Sequence, residues 1–156
     1  MKTLYLLRHA KADNTLPDLE RDLTSRGRRQ AQEIGRWMAE KGIRPDLILS
    51  SPAKRAKETA HLCSKQAGYQ GKIHLEDDLY EADMDKYLDI IADLKNKYDS
   101  VLIVGHNPHI SAAVTILTGE HLNMSTGMLA CIEIRDDKWN SVKNAKVSLK
   151  WVQAPE

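Results

Sequence analysis

The sequence predicts an α/β fold, a three-layer sandwich whose mainly parallel central sheet is covered by helices on both faces. Three observations predict it. The apolar runs at residues 3–7 and 101–104 are continuous rather than alternating, as strands buried on both faces are. Segments with helical apolar spacing lie between the strand-like runs, and that alternation implies parallel crossovers. The chain has 156 residues and is 42% hydrophobic, enough for a sizeable core. Residues 1–156 read as a single domain.

The first strand, 3–7, runs into Arg8 and His9. A polar loop follows over 11–23, with Pro17 and several charges. Thr24 is a good N-cap for a helix reaching about Lys41. In it Ala31, Ile34, Trp37 and Met38 form a stripe, and Gly42 suits the stop. Residues 46–50 read as a second strand. Ser51 and Pro52 suit the N-cap and first position of a second helix. Its small face is Ala53, Ala56, Ala60 and Cys63. Residues 72–76 give a short strand, and 84–98 a third helix with Tyr87, Ile91, Leu94 and Tyr98 on one face. After the strand at 101–104, Asn107 and Pro108 cap a fourth helix carrying Ile110, Ala113, Val114 and Leu117. Two late strands follow at 128–135 and 146–152. The last alternates, with Val147, Leu149 and Trp151 on one side and Lys146, Ser148 and Lys150 on the other, as an edge strand does. Its lysines argue against pairing with another chain, so a monomer is expected.

Composition excludes several functions. The formal net charge is +1, from 23 basic and 22 acidic residues, which argues against a nucleic-acid groove or a polybasic membrane patch. Trp37, Trp139 and Trp151 are not interleaved with a basic run, so there is no base-stacking platform. Cys63 and Cys131 are too few for a disulfide framework and fit a reducing compartment. The opening residues lead straight into an apolar run and do not resemble a signal peptide, and no stretch approaches membrane-spanning length. A soluble cytoplasmic protein is expected. There is no Walker-type loop and no dinucleotide glycine pattern.

Open α/β sheets bind ligands outside the carboxyl ends of their strands. Arg8-His9, Ser50-Ser51-Pro52 with Arg55, Glu81, and Gly105-His106-Asn107-Pro108 all fall there. A neutral imidazole can attack phosphorus, and a guanidinium can hold two phosphate oxygens. The helix N-termini add N–H donors and a positive dipole end. Arg55, in a first helical turn, opposes its helix dipole by about 0.3–1 kcal/mol, a sign that bound phosphate reverses. The alternative for Arg55 is an exposed cation beside Lys54 and Lys57.

Leu-Arg-His-Ala at 7–10, Leu-Thr-Ser-Arg-Gly at 23–27, Ser-Ser-Pro-Ala-Lys-Arg-Ala-Lys-Glu-Thr at 50–59 and Gly-His-Asn-Pro at 105–108 resemble, in content, order and spacing, the histidine phosphatase superfamily. The short chain and the Glu-Arg-Asp-Leu-Thr stretch at 20–24 look most like its SixA-type branch of phosphohistidine phosphatases. The resemblance implies a phosphoglycerate mutase-like fold and a metal-independent phosphatase without a cofactor. It implies His9 as a nucleophile that becomes phosphohistidine, with Arg8 and Arg55 on the phosphate oxygens. It implies His106 as a donor to the phosphoryl group and Arg21 as a further phosphate contact. Glu81 matches the place of a leaving-group acid, with Asp83 and Asp85 as competitors. The favoured substrate is a phosphohistidine domain of a protein; the loops at 10–23 and 77–84 leave no room for a large lid. Rival readings are a phosphatase of a small phosphomonoester and a catalytically idle phosphate-binding module. Ala10 departs from the superfamily's usual Gly and would cost on the order of 1 kcal/mol if it needed positive φ.

Other histidines are weaker candidates. His109 follows His106 at a metal-compatible spacing, but no third ligand accompanies it, so it reads as a helix-surface residue. His61, His74 and His121 read as surface or strand residues, and Cys131 as core packing.

Overall fold

The structure, a computed structural model, describes residues 1–15, 17–81 and 83–155. In chain order it forms β1 (Lys2–Arg8), α1 (Ser25–Glu40), β2 (Leu47–Ser50), α2 (Lys54–Ala67), β3 (Ile73–Leu75), α3 (Met84–Ala92), β4 (Ser100–Gly105), α4 (His109–Thr118), β5 (Leu129–Ile134) and β6 (Val147–Gln153). Short 3-10 turns lie at Asp18–Glu20, Asp77–Leu79 and Trp139–Ser141. The six strands make one sheet in the order β3-β2-β4-β1-β5-β6. β3, β2, β4 and β1 pair in parallel. β5 runs antiparallel to β1, and β6 antiparallel to β5.

The two continuous apolar runs are explained by their position. β1 and β4 are interior strands with helices on both faces. Leu4, Leu6, Val101 and Ile103 pack with Tyr87 and Ile91 of α3 and Ile110 and Val114 of α4. Leu7, Leu102 and Val104 face the other way, against Ile34 and Met38 of α1 and Ala56, Ala60 and Cys63 of α2. Each leucine of β1 is wholly buried, worth about 1.5–3 kcal/mol relative to exposure. The expected three-layer α/β arrangement is therefore the observed one.

Thr24 caps α1 as expected, its side chain accepting from the Gly27 N–H, and Gly42 follows the helix with φ of 69°. α1 lies close to its neighbours. A Cβ on Gly27 would fall 2.0 Å from the Lys11 carbonyl oxygen, and one on Gly35 would fall 2.4 Å from that of Cys63. The small face of α2 is what allows the second approach.

Three helix boundaries and one strand register differ from the sequence reading. α2 starts at Lys54 with Ala53 as N-cap, because Ser51 is diverted: its hydroxyl accepts from Ala53 N–H and meets His106. α3 stops at Ala92, and its apolar face continues through Leu94 and Tyr98 in tight turns. Asn96 is drawn out of helical bonding there, since its carbonyl takes Lys2 Nζ and its side chain takes Trp139 N–H. α4 starts after Pro108 without a side-chain cap; the Asn107 side chain accepts from the Ser111 hydroxyl instead. In β6 the register shifts opposite Cys131 and Ile132. That bulge turns Trp151 onto the α1 face, against Tyr5 and Trp37, while Val147 and Leu149 stay on the α3/α4 face.

Gly35→Ala tests the close approach of α1 to α2. Helix propensity favours the change by about 1 kcal/mol, but a clash with backbone costs about 1–3 kcal/mol and wins. Urea denaturation should show net destabilisation; a stabilised variant would refute the packing.

Candidate active site

The β1/β4 register ends with Arg8 opposite Gly105. The next residues, His9 and His106, therefore leave the sheet side by side. The His9 N–H donates to the Gly105 carbonyl at 3.0 Å, and the two imidazole centroids lie 5.0 Å apart. Ser51 emerges from β2 on the other side of β4, its N–H on the Val104 carbonyl at 3.1 Å. Adjacent strand ends thus deliver both histidines and Ser51 to one edge of the sheet.

Each imidazole has a defined tautomer. His9 Nδ1 lies 2.8 Å from the Ala10 carbonyl oxygen, which can only accept. Nδ1 therefore carries the proton, and Nε2 keeps a lone pair. His106 Nε2 lies 2.7 Å from the Ser51 hydroxyl, which already accepts from Ala53 N–H. With the hydroxyl donating to Nε2, His106 carries its proton on Nδ1. That nitrogen is buried and has no hydrogen-bond partner among the described residues. Both rings are held neutral. Burial is the main cause for each, lowering His9 to about 4 and His106 to about 3. Arg55, Arg8 and Arg21 add to this at His9, and the neighbouring His9 and Arg55 add to it at His106.

The guanidiniums surround this pair. Arg8 donates to the Met124 carbonyl at 2.9 Å, and its Nε is buried without a partner. Arg55 is buried, not part of the solvated face with Lys54 and Lys57. It donates to the Asp18 carbonyl at 2.8 Å and to its carboxylate at 3.2 Å, and its Nε is likewise unpaired. Arg21 donates from Nε to the Asp13 carbonyl at 2.6 Å and from Nη1 to the other Asp18 carboxylate oxygen at 3.1 Å.

Asp18 and Tyr80 are the residues that sequence reasoning missed. The Tyr80 hydroxyl donates to Asp18 Oδ2 at 2.5 Å, and its ring stands edge-on to His106 at 5.8 Å. That hydrogen bond, with those of Arg21 and Arg55, brings the Asp18 carboxyl down to about 2 against the cost of desolvation. The signal in the sequence was slight: Asp18 stands three residues before Arg21, one 3-10 turn away. Glu81, beside Tyr80, is exposed and has no hydrogen bond or ion pair to this cluster among the described residues. Its neighbour Ala82 lies outside the described residues.

Thr59, in the Arg55 segment, joins the two halves of the site. Its hydroxyl accepts from Ala10 N–H at 3.0 Å and donates to the Arg55 carbonyl at 2.7 Å. Ala10 does not have positive φ, so it carries no backbone penalty relative to Gly. The weaker candidates stay apart: His61, His74 and His121 are exposed, and Cys131 is buried in β5. Among the described residues no group of three or more His, Cys, Asp or Glu is placed to hold a metal, and no helix is long and apolar enough to cross a membrane.

The family model of the histidine phosphatase superfamily (branch 1) matches residues 4–95. The chain belongs to the histidine phosphatase superfamily. An uncharacterized Mycobacterium leprae protein is 32% identical over 123 residues, 75% of this chain and 74% of that one. A crystal structure assigned to SixA from Agrobacterium tumefaciens is 32% identical, covers 99% of each chain and superposes with a TM-score of 0.85. The protein histidine phosphatase SixA complexed with tungstate shares the fold, with a TM-score of 0.87 at 21% identity over 98% of this chain and 97% of that one. These likenesses make the chain SixA-type and support phosphatase activity. The superfamily match stops before His106; the strand register brings that residue to His9.

The histidines set a pH signature. Unfolded imidazoles titrate near 6.5. Both folded values lie below this, so the unfolded chain binds more protons between about pH 6.5 and 4, and stability falls as pH drops through that window. NMR should find the His9 ring neutral down to about pH 5. A midpoint near 6.5 would refute the buried environment.

Proposed function

We propose that this chain is a phosphatase that carries the phosphoryl group on His9 and takes it from a phosphohistidine side chain of a protein. One observation supports this most. A neutral imidazole with a free Nε2 lone pair stands among three buried N–H donors, Arg8 Nε, Arg55 Nε and His106 Nδ1, that have no partner among the described residues. A buried unpaired donor costs about 1–3 kcal/mol. The oxygens of a phosphoryl group are acceptors of the kind these donors lack.

In this reading Arg8, Arg21 and Arg55 bind the phosphoryl oxygens and offset the charge that would repel a nucleophile. His9 Nε2 attacks phosphorus in line. A new N–P bond forms as the bond to the leaving imidazole nitrogen breaks, and that nitrogen keeps the electron pair and takes a proton from water. His106 Nδ1–H donates to an equatorial oxygen as charge builds there. Water then attacks phosphorus and gives a proton to the hydroxide left by the first step, the bond to His9 breaks with its electron pair returning to Nε2, and inorganic phosphate leaves with the ring neutral again. The Ala10 carbonyl holds the ring orientation throughout and stabilises the imidazolium character that develops on phosphorylation.

Glu81 is left the role of a leaving-group acid for substrates that need one. A phosphoramidate P–N bond is labile and depends little on it. The short loops around the site suit access by a folded domain.

His9→Ala should abolish turnover and the acid-labile labelling of the protein by a phosphodonor. Arg55→Ala should weaken vanadate binding by about tenfold or more, the loss of one charge-assisted pair. Glu81→Gln should leave hydrolysis of a phosphohistidine-bearing carrier domain within about threefold while slowing alkyl phosphates more. Normal turnover in His9→Ala would sink the mechanism. Vanadate binding without labelling or turnover would identify an idle phosphate-binding module, and preference for alkyl phosphates a small-molecule phosphatase.

A further inference from the structure

Asp18 is a carboxylate inside a phosphate clamp, where a negative charge is a cost unless it selects something. It brackets Arg55 and Arg21 with its two oxygens and takes the Tyr80 hydroxyl. Its side chain is 42% exposed, so it faces the approach to the cluster rather than the core. Among the described residues it is the one carboxylate paired with any of Arg8, Arg21 and Arg55. Of the nearby surface charges, Lys54 pairs with Asp22 and Arg28 with Glu58, while the Asp13 carboxylate is taken by Thr15.

Counting charge at the site is then simple. Arg8, Arg21 and Arg55 contribute three positive charges, Asp18 one negative, and His9 and His106 none at neutral pH. The sum is two positive charges, which a phosphoryl dianion balances. Nothing is left over for a second anion on the leaving group. A second anion would meet the half-exposed Asp18 carboxylate with no cation left to pair with it.

We propose that Asp18 is a specificity-determining residue that excludes phosphorylated compounds carrying a second anionic group close to phosphorus, and so favours a neutral or cationic leaving group such as imidazole. This rests on the reading of His9 as the phosphoryl carrier. The selection acts on the leaving group. A phosphoimidazole ring protonated on its far nitrogen is attracted to the carboxylate, whereas a phosphorylated carboxylic acid is repelled.

Two probes of matched size isolate the effect. Phosphoglycolate and 2-hydroxyethyl phosphate differ by one carboxylate, and phosphoimidazole reports the favoured class. In Asp18→Asn, which keeps shape and drops charge, kcat/KM for phosphoglycolate relative to 2-hydroxyethyl phosphate should rise by about tenfold, the size of a partly screened charge pair. The phosphoimidazole rate should not rise with it. The unmodified protein offers a second measurement that needs no variant. Its discrimination between the two esters should narrow as salt rises from about 0.01 to 1 M. If the ratio is unchanged in Asp18→Asn and insensitive to salt, Asp18 only holds the arginines and the proposal is overturned. If the unmodified protein turns over none of the three probes and is not labelled on His9, the His9 reading fails and takes this proposal with it. The absence of labelling tells the two failures apart.

Discussion

The site depends on the parallel pairing of β1 with β4. Six register pairs run from Thr3 with Ser100 to Arg8 with Gly105. Because the side-chain period of a strand is two, a slip of one residue would move every leucine of β1 to the opposite face. Both faces are covered, so a slip would keep these residues buried but would pack Leu4 and Leu6 against α1 and α2 and Leu7 against α3 and α4, and the register is held by the complementarity of that packing. The functional residues contribute little to this. The core sets the distance between His9 and His106, and the next residue of each strand inherits it.

Around that pair the chain concentrates positive charge without exposing it as a surface patch. The guanidiniums of Arg8, partly buried, and Arg55, buried, are each tied by a backbone carbonyl, Met124 for one and Asp18 for the other, and Arg55 also by the Asp18 carboxylate. Carbonyls orient a guanidinium without cancelling its charge, and one carboxylate against three arginines leaves the site positive. Burial of the imidazoles acts in the same direction by disfavouring their protonated forms. Electrostatics and desolvation together keep both imidazoles neutral among the guanidiniums.

Much of this was legible in the sequence because periodicity and capping report it directly. Continuous apolar runs placed β1 and β4 in the interior, and Thr24 and Gly42 bounded α1. The strand-end rule then put Arg8, His9, Arg55 and His106 on one edge. What escaped depends on loops and irregularities, which carry no period. Asp18 and Tyr80 meet across 62 residues of sequence, and nothing in either segment announces the other. The β6 bulge is a single extra residue, yet it reversed the face assigned to Trp151. Ser51 looked like a helix cap because serine before proline usually is one; here its hydroxyl serves a histidine instead. For Arg55 the solvated alternative, suggested by its lysine neighbours, is excluded by its burial, and the partner it takes in the fold, Asp18, was not legible.

Ala10 shows what kind of restriction acts just after His9. The residue is wholly buried, packed with Leu23 and Ala31, and its backbone lies in an ordinary region of φ. The restriction at this position is therefore one of volume, not of backbone freedom. Glycine and alanine both satisfy it, and a larger side chain would lever the first helix away from the strand that carries His9. The choice between those two small residues is accordingly set by a steric ceiling, and it does not discriminate between substrates.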